Sequence, residues 1–177
     1  PRGIPIIFTN HTRYDLYAQT RLPNLSKDFS RRLIQSYFPD FCAEMDLVIT
    51  PSQGIKKLLQ SYGVDCPLEV IPNGINLSSF SNAVPFSRKI YNLNDSDIVL
   101  IYVGRVAPEK NLDFLLESYA GVSKAVNNVK LLIVGGGQKE HEDEVKKIIN
   151  KLKLKDKVIV TGKTPYNTIP RFLSMCN

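Results

Sequence analysis

The chain has 177 residues, 43% of them hydrophobic, and a formal charge of +6 from 23 basic and 17 acidic side chains. That length can bury a real core and suits one ordinary domain or two halves. The charge attracts anionic partners in general, such as sugar phosphates, nucleic acid or acidic lipid. Its excess is spread along the chain rather than packed into a Lys/Arg stripe interleaved with aromatics, which argues against nucleic acid as a partner.

No run of eighteen apolar residues occurs, and the opening Pro1 to Phe8 lacks the long apolar stretch and cleavage site of a signal peptide, so the chain reads as soluble and cytoplasmic. Cys42, Cys66 and Cys176 are odd in number and far apart with no C-x-x-C pair, so they read as buried thiols rather than zinc or dithiol groups. The sequons at Asn10, Asn24, Asn76 and Asn94 are assigned no function.

Short β-branched runs alternate with helical patterns, the signature of βαβ units and a buried parallel sheet. In chain order the predicted strands are Ile4 to Thr9, Leu47 to Thr50, Leu68 to Ile71, Ile98 to Val103, Val129 to Val134 and Val158 to Thr161. Between them, Ile55, Leu58, Leu59 and Tyr62 follow helical spacing behind an N-cap at Ser52. Leu112, Leu115, Leu116 and Tyr119 do so behind Asn111, and Val145, Ile148, Ile149 and Leu152 repeat the pattern. The alternation breaks between Asn73 and Asp97, where Pro, Ser, Asn and Gly accumulate. This predicts an α/β chain with residues 1–75 in one domain, 76–96 as a linker and 97–177 in a second.

Two glycine loops follow buried strands. Gly104 to Asn111 combines glycine, Arg105, Lys110 and the start of a helix, which suits a diphosphate; a solvated loop whose arginine pairs with a nearby carboxylate is the alternative. Gly135-Gly136-Gly137 lacks the third glycine of a dinucleotide fingerprint, since Glu140 stands in its place, and by itself reads as a tight turn. Gly162-Lys163-Thr164 imitates the end of a Walker A motif, but position 157 is Lys and Pro165 follows at once, so a P-loop is rejected.

Four ordered segments carry a family resemblance. They are Phe8 to Asp15 with its histidine, Asp46 to Ser52 running on to Leu68 to Ile75, Val103-Gly104-Arg105 with Glu109-Lys110-Asn111, and Ile133 to Gly137 leading to Val160-Thr161-Gly162. Together they resemble the group 1 retaining glycosyltransferases of family 4. The resemblance implies a GT-B fold: residues 1–75 are the late part of the N-terminal acceptor domain, and residues from 97 onward are the early part of the C-terminal nucleotide-sugar donor domain. The active site of such enzymes lies in the cleft between the two.

Arg105 and Lys110 match the family's basic pair on the donor diphosphate; Gly135 and Gly136 belong to the donor loop, and Gly162, Lys163 and Thr164 match the loop touching the nucleotide base. His11 matches the histidine reaching the transferred sugar, where it would hydrogen-bond hydroxyls rather than act as the base. His11, Arg105 and Lys110 are the expected catalytic set. His141 has no matching role and reads as solvated.

The implied reaction transfers a hexose, glucose first, from a nucleotide diphosphate sugar with retention, with no metal or other cofactor required. The spacing His11-Thr12-x-Tyr14-Asp15-x-Tyr17 is similar to the diacylglycerol glucosyltransferase branch. The patterned Phe29, Leu33, Ile34, Tyr37, Phe38 and Phe41, beside Lys27, Arg31 and Arg32, suit either an anionic membrane surface, peripherally at its inner face, or an ordinary packed helix. A glycan acceptor in cell-envelope synthesis and a non-catalytic nucleotide-sugar-binding module stay open as alternatives. The carboxylate pair of the family's E-x7-E motif is expected beyond Asn177, so the chain is expected to be an internal fragment, inactive by itself, of a larger enzyme.

Overall fold

The computed structural model describes residues 3–16 and 26–177. Tyr17, Asn24 and the side chain of Lys27, all singled out above, lie outside the described residues. The chain divides into two compact units, Pro1–Ile75 and Asn76–Asn177.

The first unit is a parallel sheet of β1 (Ile7–Thr9), β2 (Leu47–Thr50) and β3 (Leu68–Val70), in that spatial order, with Ile7 opposite Leu47 and Val48 opposite Leu68. Helices α1 (Lys27–Ala43) and α2 (Gln53–Ser61) pack on one face. α1 starts at Ser26, whose hydroxyl accepts from Phe29 N at 3.2 Å, and α2 at Ser52, whose hydroxyl accepts from Ile55 N at 3.4 Å. α2 ends at Tyr62 because Gly63 takes φ +89°, letting Val64 N return to the Leu59 carbonyl at 3.2 Å. Phe38, Cys42, Val48, Leu59 and Leu68 form the core, with Phe8 set edge-on against Phe41 at 5.2 Å. The opposite face leaves Ile7 exposed.

β1 is shorter than expected. β2 begins only at Leu47, and Asp46 takes the Ile6 amide on its carboxylate at 2.7 Å, so Ile4 to Ile6 lie outside the ladder.

In the second unit β4 (Ile98–Val103), β5 (Val129–Val134) and β6 (Val158–Val160) form another parallel sheet in sequential order. Alternation along β5 sends Val129, Leu131 and Ile133 to one face. There they meet α4 (Leu112–Ala125) and α5 (Lys139–Lys151) through Leu112, Leu116, Tyr119, Val145 and Ile149. Leu132 and Val134 point the other way, toward Leu93, Phe172 and Met175. Phe172 lies on α6 (Ile169–Leu173).

The stretch 76–96, expected as a linker, contains a short helix α3 (Ser78–Ser81) and a 3-10 turn at Arg88–Tyr91, and it clusters with the second unit. Phe86 and Tyr91 pack on Phe172 with ring centroids 4.7 and 5.5 Å apart, and the Arg88 guanidinium donates to the carbonyls of Asn94, Asp97 and Met175. These partners are distant in sequence, so no local periodicity announces them. Cys42 is buried, whereas Cys66 and Cys176 are half-buried; the Cys42 and Cys66 thiols come together in the first unit despite their separation in sequence.

Candidate functional site

The turns leaving β4, β5 and β6 interlock at the carboxyl edge of the second sheet, where ligands of open α/β sheets collect. Gly104 N donates to the Val134 carbonyl and Val106 N to the Gly136 carbonyl, each at 3.0 Å. Val106 bridges Gly137, and Gly135 bridges Gly162. A Cβ on Gly135 would collide with the Gly104 carbonyl, one on Gly137 with the Val106 carbonyl, and one on Gly136 would stand 2.7 Å from Lys163 N. Three glycines in a row therefore have a packing reason: they let three backbones touch.

This platform holds most of the expected site residues. Arg105 is exposed on the β4 turn, its backbone carbonyl accepting from the Tyr102 hydroxyl at 2.9 Å. Its guanidinium pairs with Glu109 at 3.0 Å, with 69% of the arginine side chain accessible. Lys110 is exposed at the end of the 3-10 turn Pro108–Lys110, and among the described residues it has no ion-pair partner. Lys163 is exposed on the turn after β6. Its neighbours Thr161 and Thr164 shape that turn: both hydroxyls donate to the Gly162 carbonyl, at 3.1 and 2.9 Å, while Gly162 takes φ +73°.

Two details differ from expectation. Asn111 does not cap α4 with its side chain; it adopts a left-handed conformation, φ 49°, that turns the 3-10 segment into the helix. Gly137 N, which a phosphate loop would offer to ligand, donates to Glu142 Oε1 at 2.9 Å, so an α5 carboxylate occupies that amide. An open groove lies between Val106 to Asp113 and α5, and His141 is half-buried in its wall. Among the described residues no group of three His, Cys, Asp or Glu gathers as a metal cluster would.

His11 stands on the first unit, exposed just after β1. The ladder extends to its neighbour, since Asn10 N donates to the Ile49 carbonyl at 2.8 Å. Behind it Arg13 grips Asp15 with two hydrogen bonds, Nε to Oδ1 at 2.9 Å and Nη2 to Oδ2 at 2.6 Å, and Asp15 is only 5% exposed. The Arg13 hydrogen bonds hold the Asp15 carboxyl below the ordinary carboxylate range against the opposing effect of burial, and the Tyr62 hydroxyl adds to the lowering. In sequence Asp15 stands out only as part of a spacing, and Glu109 and Glu142 not as site residues at all. Glu109, four residues after Arg105, has a local signal in that helical spacing; Glu142 and Tyr62 depend on tertiary contacts.

Residues 84–177 match the family described as "Glycosyl transferases group 1", and residues 1–79 match "Glycosyltransferase Family 4". An alpha-monoglucosyldiacylglycerol synthase of Streptococcus pneumoniae is 30% identical over 167 residues, covering 90% of this chain and 36% of that protein. One of the same name from Acholeplasma laidlawii is 28% identical over 147 residues, covering 76% of this chain and 36% of its own length. The chain thus spans little more than a third of these relatives. The crystal structure of HepE from Anabaena in complex with UDP and glucose superimposes with a TM-score of 0.71 at 19% identity, over 97% of this chain and 44% of that one. The two parallel-sheet units are parts of a GT-B fold. With one family model on each unit and more than half of the residues within the first, the chain belongs to the group 1 glycosyl transferases.

Proposed function

We propose that the protein containing this chain is a retaining glycosyltransferase that moves a hexosyl group, glucose first, from a nucleotide diphosphate sugar to a hydroxyl-bearing acceptor, with diacylglycerol as the leading candidate. The observation that carries the reading is the interlocked carboxyl edge of the second sheet, where three turns touch and the one after β4 presents Arg105 and Lys110 while the one after β6 presents Lys163. The named relatives support the lipid acceptor, and the HepE complex supports a UDP-linked donor.

In the reaction the bond between the anomeric carbon and the diphosphate oxygen breaks, the acceptor oxygen takes its place on the same face, and the acceptor hydroxyl's proton passes to the departing diphosphate oxygen. Negative charge grows on the leaving diphosphate, and Arg105 and Lys110 neutralise it. The Arg105–Glu109 pair is exposed, and such pairs contribute about 0–1 kcal/mol, so a diphosphate displaces Glu109 at little cost. A bidentate grip on two phosphate oxygens then replaces it. The turn from Gly162 to Thr164 meets the base through its backbone, Gly135 and Gly136 bring the backbone close to the donor, and His11 hydrogen-bonds hydroxyls of the sugar. No metal or other cofactor enters this scheme.

We assign the acceptor side to a membrane surface. On α1, Ile34, Phe38 and Phe41 pack inward, while Phe29, Leu33 and Tyr37 form an exposed stripe at i, i+4, i+8 with Arg31 and Arg32 exposed beside it. No helix of the described residues is long and apolar enough to cross a bilayer, so contact through this stripe is peripheral, at an anionic cytoplasmic face.

The test is transfer by the full-length protein from UDP-glucose to dispersed diacylglycerol. Arg105→Ala or Lys110→Ala should lower kcat by about a hundredfold or more, with a smaller rise in donor KM, as expected for a contact that strengthens in the transition state. Wild-type kcat in both variants with only KM raised would refute the electrostatic role. Absence of transfer from any nucleotide sugar would refute the enzyme reading.

A further inference from the structure

The segment after β1 is tied down by more polar burial than a surface loop needs. Asn10 is 3% exposed and Asp15 5%, and both line one small cavity with Arg13, Ile34, Phe38 and Tyr62. The Asn10 Oδ1 and the Tyr62 hydroxyl are buried without a hydrogen-bond partner among the described residues. The Tyr62 hydroxyl and the Asp15 carboxylate line this cavity together with no hydrogen bond between them. Tyr62 itself is fixed as the C-cap of α2, its amide bonded to the Leu58 carbonyl at 3.2 Å and to the Leu59 carbonyl at 3.0 Å.

Burying a carboxylate with a guanidinium contributes little net stability, because desolvation offsets most of the attraction; what such a pair supplies is a unique geometry. Here the geometry concerns one short stretch. Arg13 and Asp15 lock residues 13–15 to each other, and the buried Asp15 shares its cavity with Tyr62 at the α2 cap and with Phe38 of the first unit's core. His11 and Thr12 lie between this clamp and the β1 ladder, which ends with Asn10 N on the Ile49 carbonyl. Both ends of the His11 loop are therefore anchored, one by the sheet and one by the ion pair.

We propose that Asp15, gripped by Arg13 and facing Tyr62, is a positioning residue that fixes the 11–15 loop and thereby orients His11 toward the sugar it serves. The proposal rests on the glycosyltransferase reading for its catalytic consequence, but its structural half stands alone. A misplacement of about 1 Å in a positioned group can cost on the order of a hundredfold in rate, so a loosened loop should be visible in kcat.

The experiment compares Asp15→Asn, Tyr62→Phe, His11→Ala and the His11→Ala/Asp15→Asn double variant in the full-length protein. Asp15→Asn should lower kcat about tenfold or more while donor KM moves less than about threefold, and Tyr62→Phe should show the same split more weakly. In the His11→Ala background Asp15→Asn should add almost nothing, because it acts through the imidazole; additive losses would mean a merely structural role and overturn the proposal. Amide exchange of residues 11–15 should quicken at least about tenfold in Asp15→Asn and in Tyr62→Phe, a readout independent of activity. Should wild-type protein transfer no sugar, the functional reading fails, and exchange still decides the loop: unchanged protection in both variants overturns the clamp. If Asp15→Asn does not fold, Tyr62→Phe alone carries both measurements, and unchanged kcat with unchanged exchange in that variant overturns the proposal.

Discussion

The interlocking of the three turns rests on Gly135, and replacing it with alanine is the sharpest test of that architecture. Gly135 has φ +133°, a conformation that L side chains rarely adopt, and its added Cβ would stand 2.9 Å from the Gly104 carbonyl carbon and closer still to the oxygen. Both colliding groups are backbone, so no rotamer change relieves them. Forcing alanine into that φ costs about 1–3 kcal/mol, and overpacking adds roughly 1–3 kcal/mol. Pushing Gly104 away also weakens its 3.0 Å bond to the Val134 carbonyl, worth about 0.5–1.5 kcal/mol.

Gly135→Ala should therefore destabilise the second unit by roughly 2.5–7.5 kcal/mol. Gly121→Ala is the internal control: Gly121 lies inside α4 with nothing within 4 Å of its added Cβ, and it should stabilise by about 0.5–1 kcal/mol. Native-state hydrogen exchange of the β4 and β5 amides in the full-length protein reads both changes on one scale. A Gly135→Ala variant within about 1 kcal/mol of wild type would show that the turns do not bear on one another as described.

Three further outcomes are expected. Arg105→Lys should recover only part of the kcat lost in Arg105→Ala, since a point charge cannot reproduce a bidentate grip; full recovery would mean that charge alone suffices. Replacing Phe29, Leu33 and Tyr37 together with serine should abolish most binding to vesicles containing anionic lipid while leaving Tm nearly unchanged, because these side chains are exposed; undiminished binding would remove the stripe from the membrane reading.

The last outcome concerns alkaline pH, where burial raises the Cys42 thiol to about 11 and the Tyr119 phenol to about 12. Both groups are raised above their unfolded values of 9.0 and 10.0, so their stabilisation is complete below pH 9.0 and is lost progressively as pH climbs toward 12. Urea denaturation from pH 8.5 upward should show this decline, with a shallower slope in Tyr119→Phe; an unchanged slope would contradict the assignment.

What the sequence determined by itself is whatever short-range periodicity and end signals encode. Short apolar runs mark the six strands of the described residues because a buried parallel strand is apolar on both faces, and Ser52 announces α2 because a hydroxyl there answers an orphan amide. The order of the family segments also carried the GT-B assignment, and Arg105 and Lys110 were legible as a basic pair beside a glycine. Tertiary structure decided the rest. Residues 86–93 form a layer over the second sheet only because Phe172, far along the chain, supplies the aromatic surface they cover.

Gly135 to Gly137 read as a tight turn or an anion cradle until the Gly104 and Val106 carbonyls are seen against them, and Glu142 then occupies the Gly137 amide. Asp15 is an ordinary acidic residue in sequence; Arg13, Tyr62 and burial make it the anchor of the His11 loop. The physical reason is range. Helix caps and strand alternation are satisfied within a few residues, whereas the close approach of two backbones, or the burial of a charge beside side chains distant in sequence, depends on groups that meet only after the sheets have formed.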